Sequence, residues 1–227
     1  MSKISTTAAM IDSYTNTAIK NYVKSHDEST YFPKEMWNEL TNEMDIFLPI
    51  LSEENHTLSS DFITFIRKIA NEFAALSAIL LTQGCYGIYS ILNFGTAEQK
   101  ELYLEKLLKG QYIAGLGFCE YKHLKGLKDL ETYATKTEQG WCLSGKKAMI
   151  SNSSVADILL VLAKVKEQGK VEKYGLFIVD PKDSDVLIGD QIEKPGLIGL
   201  PLSSVTLKNV LLPENALLGD ELAGDVQ

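Results

Sequence analysis

The hydrophobic pattern of this 227-residue chain changes period once, at Gly110, and that change constrains the fold more than any other feature. Ahead of it, apolar residues recur at helical spacing. Ala8, Ile11, Tyr14, Thr15, Ala18 and Tyr22 make one stripe. Met36, Trp37, Leu40 and Met44 make a second behind Pro33, whose missing N–H costs nothing in a first helical turn. After a polar break at 55–60, the series Phe62, Phe65, Ile66, Ile69, Phe73, Leu76 and Leu80 predicts one long helix, capped by Ser60 or Asp61. It is apolar on more than one face by Ala74 to Leu81, as a central buried helix would be, and Gly84 and Gly87 are expected to break it.

The segment from Phe94 to Lys100 is punctuation. Gly95 suits a left-handed helix end, Thr96 caps the next helix, and Gln99 three residues on completes a capping box. Such a cap contributes about 1 kcal/mol. Leu102, Leu104, Leu107 and Leu108 give this helix its apolar surface, and Gly110 ends it.

Beyond Gly110 the apolar runs are short and β-branched. They are 112–118, 132–137, 141–143, 147–150, 158–165, 174–179, 186–188 and 205–212, separated by turn signals such as Glu138-Gln139-Gly140, Glu167-Gln168-Gly169 and Asp180-Pro181. Helices followed by strands predict an α+β protein, with an all-α N-terminal domain (1–111) and a small β-sandwich or barrel-like domain (112–227).

Composition removes several function classes. A net charge of −8 argues against nucleic-acid binding, and with Arg67 the sole arginine, bidentate phosphate clamps are scarce. Cys85, Cys119 and Cys142 lack metal-ligand spacing and read as reduced core thiols. The N-terminus carries no signal-peptide run, and the most apolar stretch, 73–81, is too short to span a bilayer. A cytoplasmic location is the default expectation.

Three ordered motifs resemble the acyl-CoA dehydrogenase superfamily. Gly95 to Gly110 is similar to the family pattern G-T-E-E-Q-K-x-x-Y-L-P-x-L-x-x-G. Gly140 to Asn152, followed by Ala156-Asp157, is similar to G-x-x-L-x-G-x-K-x-W-I-T-N-x-x-x-A-D. Lys194 to Gly219 resembles the family segment leading out of the β domain. The resemblance implies an FAD enzyme that oxidises the Cα–Cβ bond of an acyl-CoA thioester. A carboxylate base would take the α-proton while the β-hydrogen leaves as hydride to the flavin.

It also implies site residues. Leu116, Phe118, Cys119, Met149 and Ser151 fall on the family's flavin-binding positions, and Leu124 and Lys125 on its substrate side. Cys119-Glu120 replaces the family's T-E, with Glu120 acidic for scaffold reasons. Met149 replaces a tryptophan packed on the flavin, and Ser151 matches a hydroxyl residue near flavin N5. Cys119 and Met149 also read as ordinary strand residues, and His123 and Lys125 as solvated loop residues. Tyr121 to Gly126 replaces a small glycine-rich turn with bulkier side chains, while Ile198 and Leu200 stand where arginine and serine are usual.

No catalytic or metal-binding residue is assigned. In the family, a C-terminal helical domain supplies the base, an arginine for the FAD pyrophosphate and most of the oligomer interface. The expectation is therefore a subunit or fragment completed by a second polypeptide or further copies of itself. Two alternatives stand beside it: a non-catalytic paralogue acting as a scaffold, and a flavin monooxygenase or oxidase of the same superfamily.

Overall fold

A computed structural model of the chain describes residues 3–26, 31–52, 59–122, 126–165 and 173–219. Helices come first. α1 (Lys3–Tyr14) passes through a π-helical turn, Thr15–Ile19, into α2 (Lys20–His26), and α3 (Lys34–Asn38) runs into a second π-turn, Glu39–Glu43. Then come α4 (Ser60–Glu72), α5 (Ala74–Leu81), the π-helical Thr82–Ile88, α6 (Tyr89–Phe94) and α7 (Ala97–Leu108).

Trp37 of the second stripe sits within a chain of aromatic rings in the helical core. Phe32, Trp37, Phe47 and Phe62 are strung together at centroid distances of 5.7, 6.1 and 5.9 Å. Burying each such ring removes enough apolar surface from water to contribute roughly 1.5–3 kcal/mol. The Trp37 indole N–H, the polar end of an otherwise apolar side chain, donates to the Gly110 carbonyl at 2.9 Å.

Four expectations about these helices are corrected. Ser59, not Ser60 or Asp61, caps α4, its hydroxyl accepting from the Phe62 N–H. The expected single helix is two, because Phe73 leaves the helical region (φ −142°, ψ 86°). The bend lets the Ser77 hydroxyl donate to the Ile66 carbonyl at 3.2 Å. Gly84 and Gly87 do not break the helix; they let neighbours in. A Cβ at Gly84 would lie 2.4 Å from the Phe62 ring, and one at Gly87 would lie 2.6 Å from the Ala114 Cβ. Gly95 is extended rather than left-handed (φ −70°, ψ 147°). The capping box itself is present, with Thr96 accepting from the Gln99 N–H and Gln99 from the Thr96 N–H.

Because nothing breaks it, Ala74–Phe94 is a continuous 21-residue helix, long and apolar enough to cross a membrane by composition, contrary to the shorter reading above. In its most apolar window 61% is buried inside the fold, as expected of a core helix.

Seven strands form one curled, mixed sheet: β1 (Ala114–Gly117), β2 (Tyr133–Thr137), β3 (Gly140–Ser151), β4 (Ile158–Val165), β5 (Lys173–Val179), β6 (Val186–Gln191) and β7 (Leu202–Pro213). β5 pairs antiparallel along one edge of β4. On the other edge β1 pairs parallel with its first half and β2 with its last two residues. β2, β3, β7 and β6 continue the sheet antiparallel. The runs 141–143 and 147–150, expected as two strands, are one strand with irregular register near Gly145 and between Lys147 and Ile150. Ile150, Val161, Phe177 and Val205 lie in the β-domain core.

Two buried glutamines tie helices to sheet. Gln83, in the π-helical turn, donates to the Leu107 and Tyr112 carbonyls and accepts from the Ala114 N–H, all within 2.9 Å. Gln99 donates to the Asn215 and Leu217 carbonyls at 2.9 and 2.7 Å and accepts from the Gly219 N–H. A buried amide with its hydrogen bonds satisfied fixes the groups around it, because each alternative leaves a donor or acceptor dry.

Candidate functional site

β1 ends where the sheet leaves an open edge. After Gly117 the chain no longer pairs with β4; the Cys119 carbonyl accepts from the Ala148 N–H at 2.8 Å, laying Phe118–Glu120 alongside β3. Glycine at 117 permits the approach, since a Cβ there would already press on Lys147, Ile150 and Val161 at 3.3–3.4 Å.

Four of the five expected flavin-binding residues meet along this edge. Phe118, Cys119 and Met149 are exposed, Phe118 to 44% and Met149 to 57%. Ser151 is half-buried and paired with Leu202. Ile150 points into the β core between Met149 and Ser151, which strand alternation turns outward. Leu116 does not join them, because it packs against the helical core. Cys119 is exposed rather than a packed core thiol, and Cys85 and Cys142 are only half-buried. Leu124 and Lys125, with His123, lie outside the described residues.

Met149 sits at φ +50°, left-handed backbone for a residue with a side chain, inside the irregular stretch between Lys147 and Ile150. Such a conformation costs on the order of 1–2 kcal/mol. The fold thus holds a mostly exposed apolar side chain in a strained position.

Behind the edge lies a feature the sequence reading did not single out. Lys147 and Glu120 form an ion pair at 2.8 Å with side chains 0% and 2% exposed. The Glu120 carboxylate also accepts from the Glu131 and Thr132 N–H groups at 2.7 and 2.9 Å, and Lys147 reaches the Phe118 carbonyl at 3.4 Å. Burial by itself would raise the Glu120 carboxyl; the Lys147 ammonium and these backbone donors outweigh it and hold it down at about 2. For Lys147 burial dominates and lowers its pKa, with Glu120 opposing. Glu120 is therefore a scaffold acid, as expected from sequence. No local signal marked Lys147: Lys146 beside it is exposed, and its carboxylate partner lies 27 residues away.

Of the two departures in the tail, burial accounts for Leu200, and nothing in the structure explains Ile198. Leu200 is buried in the helical core, and the Ile198 and Leu200 carbonyls accept from the Lys194 ammonium at 3.5 and 2.8 Å. Among the described residues, no group of three His, Cys, Asp or Glu could hold a metal ion.

Two family models match the chain: acyl-CoA dehydrogenase, N-terminal domain, over residues 4–111, and acyl-CoA dehydrogenase, middle domain, over residues 115–210. Among curated relatives, the L-prolyl-(peptidyl-carrier protein) dehydrogenase of a Serratia species is 28% identical over 149 residues, covering 66% of this chain and 39% of that protein. Among solved structures, butyryl-CoA dehydrogenase from Megasphaera elsdenii superposes with a TM-score of 0.85 at 22% identity, over 97% of this chain and 59% of that one. Glutaryl-CoA dehydrogenase from Mycobacterium smegmatis, in complex with FADH2, gives 0.84 at 22% identity, over 98% and 57%. At these identities the structures establish the fold, and the chain spans less than two thirds of each of these three proteins. With its helices and strands matched in order by both family models, the chain belongs to the acyl-CoA dehydrogenase family.

Proposed function

We propose that this chain contributes the flavin-facing part of an FAD-dependent oxidoreductase that desaturates an acyl thioester between Cα and Cβ. The observation that carries this reading is the edge at which Phe118, Cys119, Met149 and Ser151 converge, in a chain of this family. The residues fit one half of the cofactor. Phe118 and Met149 offer apolar surface for a flat ring system, and a thioether against an aromatic ring contributes about 0.3–1.5 kcal/mol. Backbone groups of Phe118–Glu120 and the Ser151 hydroxyl would orient the ring's polar rim. The other half is less well served, since nearby Lys122 is paired with Glu131 and Lys146 lies over the Tyr121 ring.

When bound, FAD supplies the hydride acceptor. The α-proton needs a carboxylate with a pKa tuned for proton abstraction. Glu120, buried, ion-paired and held near 2, is unsuited to that task. The base, and the groups that hold the pyrophosphate, are therefore assigned to a polypeptide segment other than this edge. The acyl carrier is assigned to coenzyme A, with a carrier protein as the variant that the Serratia relative's name brings in.

The test is chromatography of the tagged protein from its own source cells, following protein and flavin absorbance together. A yellow peak that also contains the completing polypeptide, and that desaturates acyl-CoA, is the expected result. A colourless peak with all partners present would replace this reading with the non-catalytic scaffold.

A further inference from the structure

The loop between β1 and β2 begins at Glu120 and ends at Thr132, and one carboxylate holds both ends. Glu120 starts the loop, while its oxygens accept from the Glu131 and Thr132 N–H groups where the chain returns. Lys147 anchors that carboxylate from the middle of β3 and touches the Phe118 carbonyl on the way. Around this base, Lys122 pairs with Glu131, and the Lys164 ammonium donates to the Lys128 carbonyl at 2.5 Å. The anchor is fully dry, whereas the Lys122–Glu131 pair is open to water. Energetically the two are unequal: exposed pairs contribute little, while breaking a buried pair strands a charge.

We infer that Lys147, acting through Glu120, is a positioning residue that sets the cofactor-facing strand end Phe118–Glu120 and the returning residues Glu131–Thr132 as a single unit. A buried pair is weak support for stability as such, because apolar side chains of similar volume often do as well. What an apolar filler does not do is direct a hydrogen bond at the Phe118 carbonyl while gripping two backbone N–H groups eleven and twelve residues further along. Lys147 is the sole basic residue among the largest fully buried side chains of the described structure, and it lies directly beneath the edge where Cys119 and Met149 emerge. This inference rests on the flavin reading for its consequence, but its geometry can be tested without flavin.

The experiment compares wild type, Lys147→Met, and the double variant Glu120→Gln/Lys147→Met. In the double variant the glutamine oxygen replaces one of the two carboxylate acceptors, its amide nitrogen stands in place of the other, and methionine fills the lysine stem's volume without charge. Three quantities are read on the full chain: amide exchange at Ala148 against that at Leu160 and Val161, tryptic cleavage after Lys122 and Lys128, and FAD affinity by titration. Lys147→Met is expected to accelerate Ala148 exchange and loop cleavage about tenfold or to prevent folding. The double variant is expected to recover wild-type exchange at Leu160 and Val161 and to melt above Lys147→Met, since no buried charge is left unpaired. Ala148 exchange and loop cleavage should stay about tenfold fast, with FAD affinity lowered by a similar factor.

Recovery of all three quantities in the double variant would overturn the inference and leave the pair as core filling. Wild type that binds no FAD, even with its completing polypeptide, would overturn the functional reading instead. The exchange and cleavage results would still decide the role of Lys147.

Discussion

The seam between helices and sheet and the open edge beyond β1 are built from neighbouring residues in opposite ways. At the seam, Gln83 and Gln99 are buried, and each has both its oxygen and its nitrogen engaged with backbone. Gly87 there admits the Ala114 side chain. At the edge, apolar side chains face outward, Met149 holds a left-handed backbone, and the polar investment lies one layer behind in Lys147 and Glu120. The seam is organised for its own stability. The edge spends stability on a surface, as binding surfaces do.

Acid should produce the largest effect and act on the layer behind the edge. Glu120 has a depressed folded-state pKa, so its contribution is fully present above its ordinary value near 4.5 and is lost as pH falls toward about 2. The shift bounds the loss at about 3 kcal/mol. Denaturant melts between these limits should show the loss, and Glu120→Gln should flatten that pH dependence; an unchanged slope would move the acid sensitivity elsewhere.

At the seam, Gln99→Ala strands the Asn215 and Leu217 carbonyls and the Gly219 N–H, and should cost about 2–3 kcal/mol in urea unfolding. A loss below about 0.5 kcal/mol, the level of an ordinary surface substitution, would erase the contrast between the two regions. The smallest effect is also the sharpest. Met149→Gly relieves the left-handed strain and should stabilise the chain by up to about 1 kcal/mol, while weakening FAD binding. Destabilisation would show that Met149 serves the fold after all.

Local grammar was legible in the sequence, and long-range contacts were not. The Thr96–Gln99 box spans four residues and was readable because its chemistry is self-contained. The π-turns were invisible, since one extra residue per turn barely disturbs a helical stripe over so short a run. The break at Phe73 is a tertiary decision, made where Ser77 finds the Ile66 carbonyl. The edge was approached through motif resemblance, which placed Cys119, Met149 and Ser151 but also included Leu116, whose side chain faces the helical core. Lys147 was missed because its partner lies 27 residues away and nothing local marks a lysine as buried.

The position of Gln83 has a kinetic consequence. β1 pairs parallel with β4, so no tight turn sets its register, and a slip by one residue would exchange its two faces. Gln83 supplies the missing reference by grasping Ala114, the first residue of β1, from a helix complete within its own segment. That helix serves as a template. The parallel edge of the sheet should acquire exchange protection only after Ala74–Phe94 has formed, making the helical half the earlier step in folding and β1 the strand that waits for it.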